Sequence, residues 1–210
     1  RVDRIKGCEE MFNYFLEYKA KYNNDIKLVL VGKAAMDIPV NNDILNLGFV
    51  GEIEKISLLK NAKALILPSE FESLSLSTLE AMYFGIPVLV NGKCDVLKDH
   101  AILSKAGLYY MNKLEFIESL AYIDENPEIM KKMGENGVLY VEKNYRWDVV
   151  IEKYKNDGII WYFDNCEKSM DDVIRILWKF SELGYFKYAK GIIFGRFGKE
   201  VSNTYENVID

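Results

Sequence analysis

Two carboxylates eight positions apart, Glu72 and Glu80, flank the start of a helix in the stretch PSEFESLSLSTLEAMYFGIPVLV, residues 68–90. The helix is expected to start at 75–77 and to run to about 84, with Gly85 as its stop and Pro87 opening the next apolar run. A helix N-terminus carries unpaired N–H groups and the positive end of the dipole, so it favours an anion such as phosphate. Helical side chains lean toward the N-terminus, so Glu80, about one turn in, points back toward the loop that carries Glu72. A ligand with phosphates on the amides and hydroxyls on the two carboxylates is a nucleotide sugar. The same residues allow a structural reading. Ser77-Thr78-Leu79-Glu80 fits a capping box, in which Glu80 only satisfies a backbone N–H. Spacing alone leaves both open.

A strand over 64–67 runs into this loop and breaks at Pro68-Ser69, and the run 86–90 supplies the next strand. Strand, loop, helix and strand make the unit of parallel sheets, which bind ligands at the carboxyl ends of their strands. The surrounding chain alternates in the same way. An amphipathic helix is expected over 8–22, a buried strand over 26–31 ending at Gly32, and a strand over 44–50. A short helix follows over 52–62. Beyond the central unit come a helix over 94–105, a strand over 107–110 and helices carrying Leu114 to Ile123, Ile129 to Val138 and residues 147–154. His100, the one histidine, is expected to be an ordinary polar residue on its helix. Asp95 and Asp99, four apart on that helix, fit a solvated face better than a metal site, and no metal-binding D-x-D is present.

Glu72 and Glu80 with Ala81-Met82, Gly85 and Pro87 resemble the E-x7-E region of the group 1 glycosyltransferases, retaining enzymes of the GT-B fold. RVDRIKG at the start, LVLVG (28–32), LGFVG (47–51) and NYRWDVVIEKY near 150 extend the resemblance over about residues 1–156. It implies an α/β fold, the Rossmann-like parallel sheet of the donor-binding half of a GT-B enzyme. It also implies roles. Arg1, Lys6 and the amides near Ser75 and Leu76 would hold the donor diphosphate and stabilise it as it leaves, Glu72 would orient the sugar hydroxyls, and Glu80 would hold the ribose. Phe49 and Val50 would lie near the base, although core packing is an equal expectation for Phe49. No metal or cofactor is then required, and the donor, UDP- or GDP-linked, is a substrate carrying a hexose to an unknown acceptor. The acceptor-binding N-terminal domain is expected to be missing, which would leave this piece inactive alone. The chain departs from the family where Phe-Gly-Leu often follows the first Glu: it has Leu74-Ser75-Leu76.

The chain has 210 residues, half of them apolar, enough for one large domain or two small ones. A net charge of −5 argues against nucleic acid as a partner. Cys8, Cys94 and Cys166 include no CxxC and read as free thiols of a reducing compartment. No apolar run reaches membrane-span length. The expected location is the cytoplasm, with the inner face of the membrane as an alternative. Residues 157–210 read as an appended β-α-β segment. It comprises an apolar run at 159–163, a helix capped by Ser169 and closed by Gly184, and a strand over 191–197. This segment resembles an internal piece of the LD-carboxypeptidases, serine peptidases, covering at most their acidic member at Asp164 or Glu167. With no histidine in the tail, peptidase activity is not expected there. A non-catalytic α/β binding module is the other alternative.

Overall fold

The computed structural model describes residues 1–156, 160–163 and 170–194. The chain divides into two compact units, Arg1–Lys143 and Asn144–Asp210. This division falls ahead of residue 156, where the resemblance placed its boundary.

The first unit alternates strand and helix. Strands β1 (Leu28–Leu30) and β2 (Ile44–Asn46) pair in parallel, as do β3 (Leu65–Leu67), β4 (Val88–Asn91) and β5 (Gly107–Tyr110) in the order β3-β4-β5. Helices α1 (Cys8–Lys21), α2 (Glu52–Lys60), α3 (Leu76–Tyr83), α4 (Asp95–Ser104), α5 (Lys113–Glu125) and α6 (Pro127–Asn144) connect and cover them. The expected strands over 26–31 and 44–50 are trimmed to three residues each. β1 is also not buried throughout, since Leu28 and Leu30 point inward and Val29 is exposed. Period-two alternation leaves one face of β1 outside the core.

β4 explains the layering. All four of its residues are buried. Leu89 joins a core built from Met11, Phe12, Phe15 and Tyr18 of α1 and Phe116, Ile117 and Leu120 of α5. Its neighbours Val88 and Val90 point the other way, into a second core with Ala81 and Met82 of α3 and Leu97 and Ala101 of α4. A central parallel strand covered on both faces is apolar throughout for this reason. On α1 the buried positions follow helical spacing, while Glu9 and Glu10 sit in the first turn and Lys19 and Lys21 in the last, each sign at the dipole end that favours it. α6 presses closely on the second core. A Cβ added at Gly134 would lie 2.0 Å from the Gly85 carbonyl oxygen, so no larger residue fits without moving the helix.

In the second unit, β6 (Ile160–Phe163) and β7 (Gly191–Phe194) pair in parallel across α8 (Met170–Glu182). The expected β-α-β unit is present, with α7 (Trp147–Asn156) preceding it and Gly184 in the left-handed conformation after α8. Phe180 meets Trp161 and Phe163 edge-on. Asp164, Cys166, Glu167, Ser169 and the end of the expected strand over 191–197 lie outside the described residues.

Candidate functional site

The segment from Arg1 to Gly7 is the expected strand end and turn. Val2 forms an isolated parallel bridge with Ala34, its N–H donating to the Lys33 carbonyl at 3.0 Å. Residues Arg4–Lys6 make one 3-10 turn capped by Asp3, whose carboxylate accepts from the Ile5 N–H at 3.0 Å. That bond, followed by the charge of Arg1, holds the Asp3 carboxyl below its ordinary range. Arg1 pairs with Asp3 and is otherwise exposed. Gly7 then turns with φ +72°, and a Cβ there would stand 2.3 Å from the Pro68 carbonyl oxygen. Only glycine tolerates both conditions, so this close approach sets the Lys6 turn against the loop that leaves β3. Lys6 Nζ donates to Glu72 Oε1 at 2.7 Å.

The loop from Pro68 to Ser75 is fastened by buried polar side chains. Asn91, fully buried at the end of β4, donates from Nδ2 to the Pro68 carbonyl at 2.9 Å. The Ser69 hydroxyl donates to the Phe71 carbonyl at 2.9 Å. His100 of α4 is only 4% exposed and sits 2.9 Å, through Nε2, from the Leu74 carbonyl. A carbonyl only accepts, so Nε2 carries the hydrogen and Nδ1 takes one from the Tyr140 hydroxyl at 3.2 Å. His100 is therefore more than the ordinary polar residue on a helix that its sequence context suggested: it is buried and bonded. Outside the loop, Lys93 reaches Glu70 at 2.8 Å.

Helix α3 begins at Leu76, with Ser75 as its N-cap residue in the left-handed conformation, φ 59°. The Ser75 hydroxyl is 2.8 Å from that of Thr78, both buried, which fixes a backbone that a residue other than glycine adopts at a cost. The capping box over Ser77–Glu80 does not form, because the helix starts two residues too early for it, with Ser75 and not Ser77 as its N-cap. Glu80 instead accepts from Lys55 Nζ at 3.2 Å. Among the described residues the Leu76 and Ser77 amides take no protein acceptor. Lys55 stands on α2, where Glu52 first and Glu80 second hold its ammonium above the ordinary lysine value. Just ahead of α2, Val50 is half-buried and Phe49 is 90% exposed, so Phe49 is not a core residue.

The structure thus brings Lys6 to Glu72 and Lys55 to Glu80, two ion pairs on either side of an α3 N-terminus with open amides. Ser75 shapes that N-terminus, and Leu76 supplies an amide while its side chain stays exposed. Sequence reasoning missed Lys55, Asn91 and His100. A lysine three residues into α2 was visible as a helix-surface cation with Glu52 as its neighbour on the same helix, but Glu80, its second partner, lies in another helix. Among the described residues no group of three His, Cys, Asp or Glu side chains could hold a metal. Cys8 and Cys94 are free and buried, and Cys166 lies outside the described residues. No described helix is long and apolar enough to cross a membrane.

Parallel strands with helices on both faces define the Rossmann-like α/β half of a GT-B glycosyltransferase fold. The chain belongs to the glycosyl transferases group 1, whose family model matches residues 1–139. It is 25% identical over 163 residues to glycosyltransferase 1 domain-containing protein 1 of Xenopus tropicalis, covering 72% of this chain and 46% of that protein. It therefore spans less than half the length of this relative. Among solved structures it is similar to the sucrose-phosphate synthase of Thermosynechococcus elongatus, with TM-score 0.61, 18% identity, and coverage of 85% of this chain and 44% of that one. It is also similar to Anabaena Alr3699/HepE in complex with UDP, with TM-score 0.58, 18% identity, and coverage of 71% and 43%. The family match stops short of the tail, so the LD-carboxypeptidase resemblance stays outside it.

Proposed function

We propose that this chain is the donor-binding part of a retaining glycosyltransferase that takes a UDP- or GDP-linked hexose. One observation carries the reading: two lysine–carboxylate pairs, Lys6–Glu72 and Lys55–Glu80, flank a helix N-terminus with unclaimed amides. Each pair can exchange partners with a ligand that carries both charges and hydroxyls. Phosphates would take the Leu76 and Ser77 amides and the two ammonium groups, with Arg1 close by at the turn. Sugar and ribose hydroxyls would then donate to Glu72 and Glu80. As the sugar bond breaks, charge grows on the departing diphosphate, and fixed amides and lysines would stabilise it without solvent reorganisation. The reading requires no metal or cofactor. The match of HepE to this fold in complex with UDP supports a nucleotide ligand.

The acceptor, its linkage and the domain that would hold it belong to the remaining length of the relatives. Transfer needs the acceptor held in line with the donor, so this chain alone is expected to bind but not to transfer. Peptidase activity has no observation in its favour: the sole histidine is buried between Leu74 and Tyr140. Isothermal titration of the full chain with UDP, GDP and their hexose conjugates tests the reading. Saturable binding that Lys6→Met and Glu80→Gln both weaken supports it. A folded chain that binds none of these ligands refutes it.

A further inference from the structure

We infer that His100 is a positioning residue for the nucleotide crevice, acting through the Leu74 carbonyl and held in its tautomer by Tyr140. This rests on the proposed nucleotide site. Leu74 lies between Glu72 and the Ser75 N-cap, so one bond controls both the carboxylate and the start of α3. Asn91 fastens the other end of the loop at Pro68, leaving residues 69–73 spanning between two buried anchors. The His100 ring is buried, and both of its nitrogens are engaged. Removing the Tyr140 hydroxyl frees Nδ1 to carry the hydrogen, and Nε2 would then face the carbonyl without a proton to donate. Through this relay α6, by way of Tyr140, governs the alignment of the anion-binding amides.

The test uses the full-length chain with three variants, His100→Gln, His100→Leu and Tyr140→Phe, and two readouts. Gln keeps an amide N–H where Nε2 stands, whereas Leu keeps only bulk. Hydrogen exchange of the Phe71, Thr78 and Leu79 amides, which donate to the Ser69 hydroxyl and the Ser75 carbonyl, measured without ligand, should accelerate about tenfold in His100→Leu while β4 amides stay protected, because a buried bond has been removed. His100→Gln should restore most of that protection, and Tyr140→Phe should fall between. UDP and GDP affinities, measured well below each variant's melting temperature, should follow the same order, about tenfold weaker for Leu. A merely structural histidine would lower the melting temperature and leave both the loop exchange and the affinity of the folded protein unchanged. That result in His100→Leu overturns the inference, as does a His100→Gln variant indistinguishable from Leu. Should His100→Leu fail to fold, Tyr140→Phe decides alone: wild-type loop exchange overturns the inference, and accelerated exchange upholds it. If the wild type binds no nucleotide, the exchange readout still judges His100, so failure of the site and failure of the relay remain distinct.

Discussion

Glu80 carries two readings that make different demands on one substitution. As a capping residue it would lose stability on truncation; as a partner of Lys55 and a hydroxyl acceptor it would lose binding. The observed pair with Lys55 spans half-exposed side chains, and exposed pairs of this kind contribute little to stability. Glu80→Gln and Glu80→Ala are therefore expected to differ in folding free energy by no more than about 0.5 kcal/mol. Both should weaken nucleotide binding. Denaturant titration beside calorimetry checks this, and an alanine variant about 1 kcal/mol less stable than the glutamine one would restore the capping role. Asp3 gives a pH prediction. Its carboxyl is depressed by the Ile5 amide first, so its stabilising effect is present above the unfolded value, about 3.9, and is lost as pH falls through the lower folded value. The Ile5 amide signal should hold its position down to the ordinary carboxylate range and move only below it. The carboxylate pair and Lys6 were legible in the sequence because they lie in contiguous motifs. Lys55, Asn91 and His100 were not, because each finds a partner more than twenty residues away and no local pattern marks the pairing.

Helices and strands were easier to read than their ends. The spacing in α1 and α5 reports the buried face directly, and the run 86–90 reads as a covered strand. Val173 of α8 is buried, but Ile176 and Leu183 of the expected apolar face are exposed. The start of α3 was harder. Three serines compete for one cap, and Ser75 holds it because its left-handed backbone and its bond to Thr78 turn the chain into the helix. Thr78→Val keeps the shape and strands the Ser75 hydroxyl in the interior. It should cost about 1–3 kcal/mol and weaken anion binding at the Leu76 and Ser77 amides, as measured by denaturation and calorimetry. A variant as stable as the parent would show that the left-handed turn does not need this bond. On α6, Gly134→Ala would raise helix propensity by about 1 kcal/mol in isolation. Here the new methyl meets the Gly85 backbone, and overpacking of this kind costs about 1–3 kcal/mol. A net loss of stability is expected in denaturant melts, and a net gain would mean that α6 moves away from α3 freely.

At the scale of the whole molecule, the two units differ in what their sequences reveal. The first carries several ordered motifs in the spacing of its family, and its fold and crevice follow from them. The second carries a clear helical period and two apolar runs, enough to specify a β-α-β unit but not an activity. A ligand that binds only the folded first unit should stabilise it by about 2.7 kcal/mol at one hundred times its dissociation constant. Thermal melts with UDP or GDP should therefore shift upward. If melting resolves into two transitions, only the one belonging to residues 1–143 should move. A single transition that shifts as a whole would show instead that the units melt as one.

Lys6 finds Glu72 late in the chain's own history. The turn that carries it is fixed by the backbone at 33–35 and by Pro68, and the loop opposite is held by His100, whose ring in turn meets Tyr140. During synthesis these parts emerge in sequence order, and at ribosomal speed the interval between the Lys6 turn and Tyr140 is on the order of ten seconds. Late in that interval β1 to β5 have all emerged and can pair, but α6 has not yet covered the second core and Tyr140 has not reached His100. A ribosome stalled short of α6 would hold every residue of the two ion pairs and still lack the Tyr140 end of the anchor that holds the Glu72 loop.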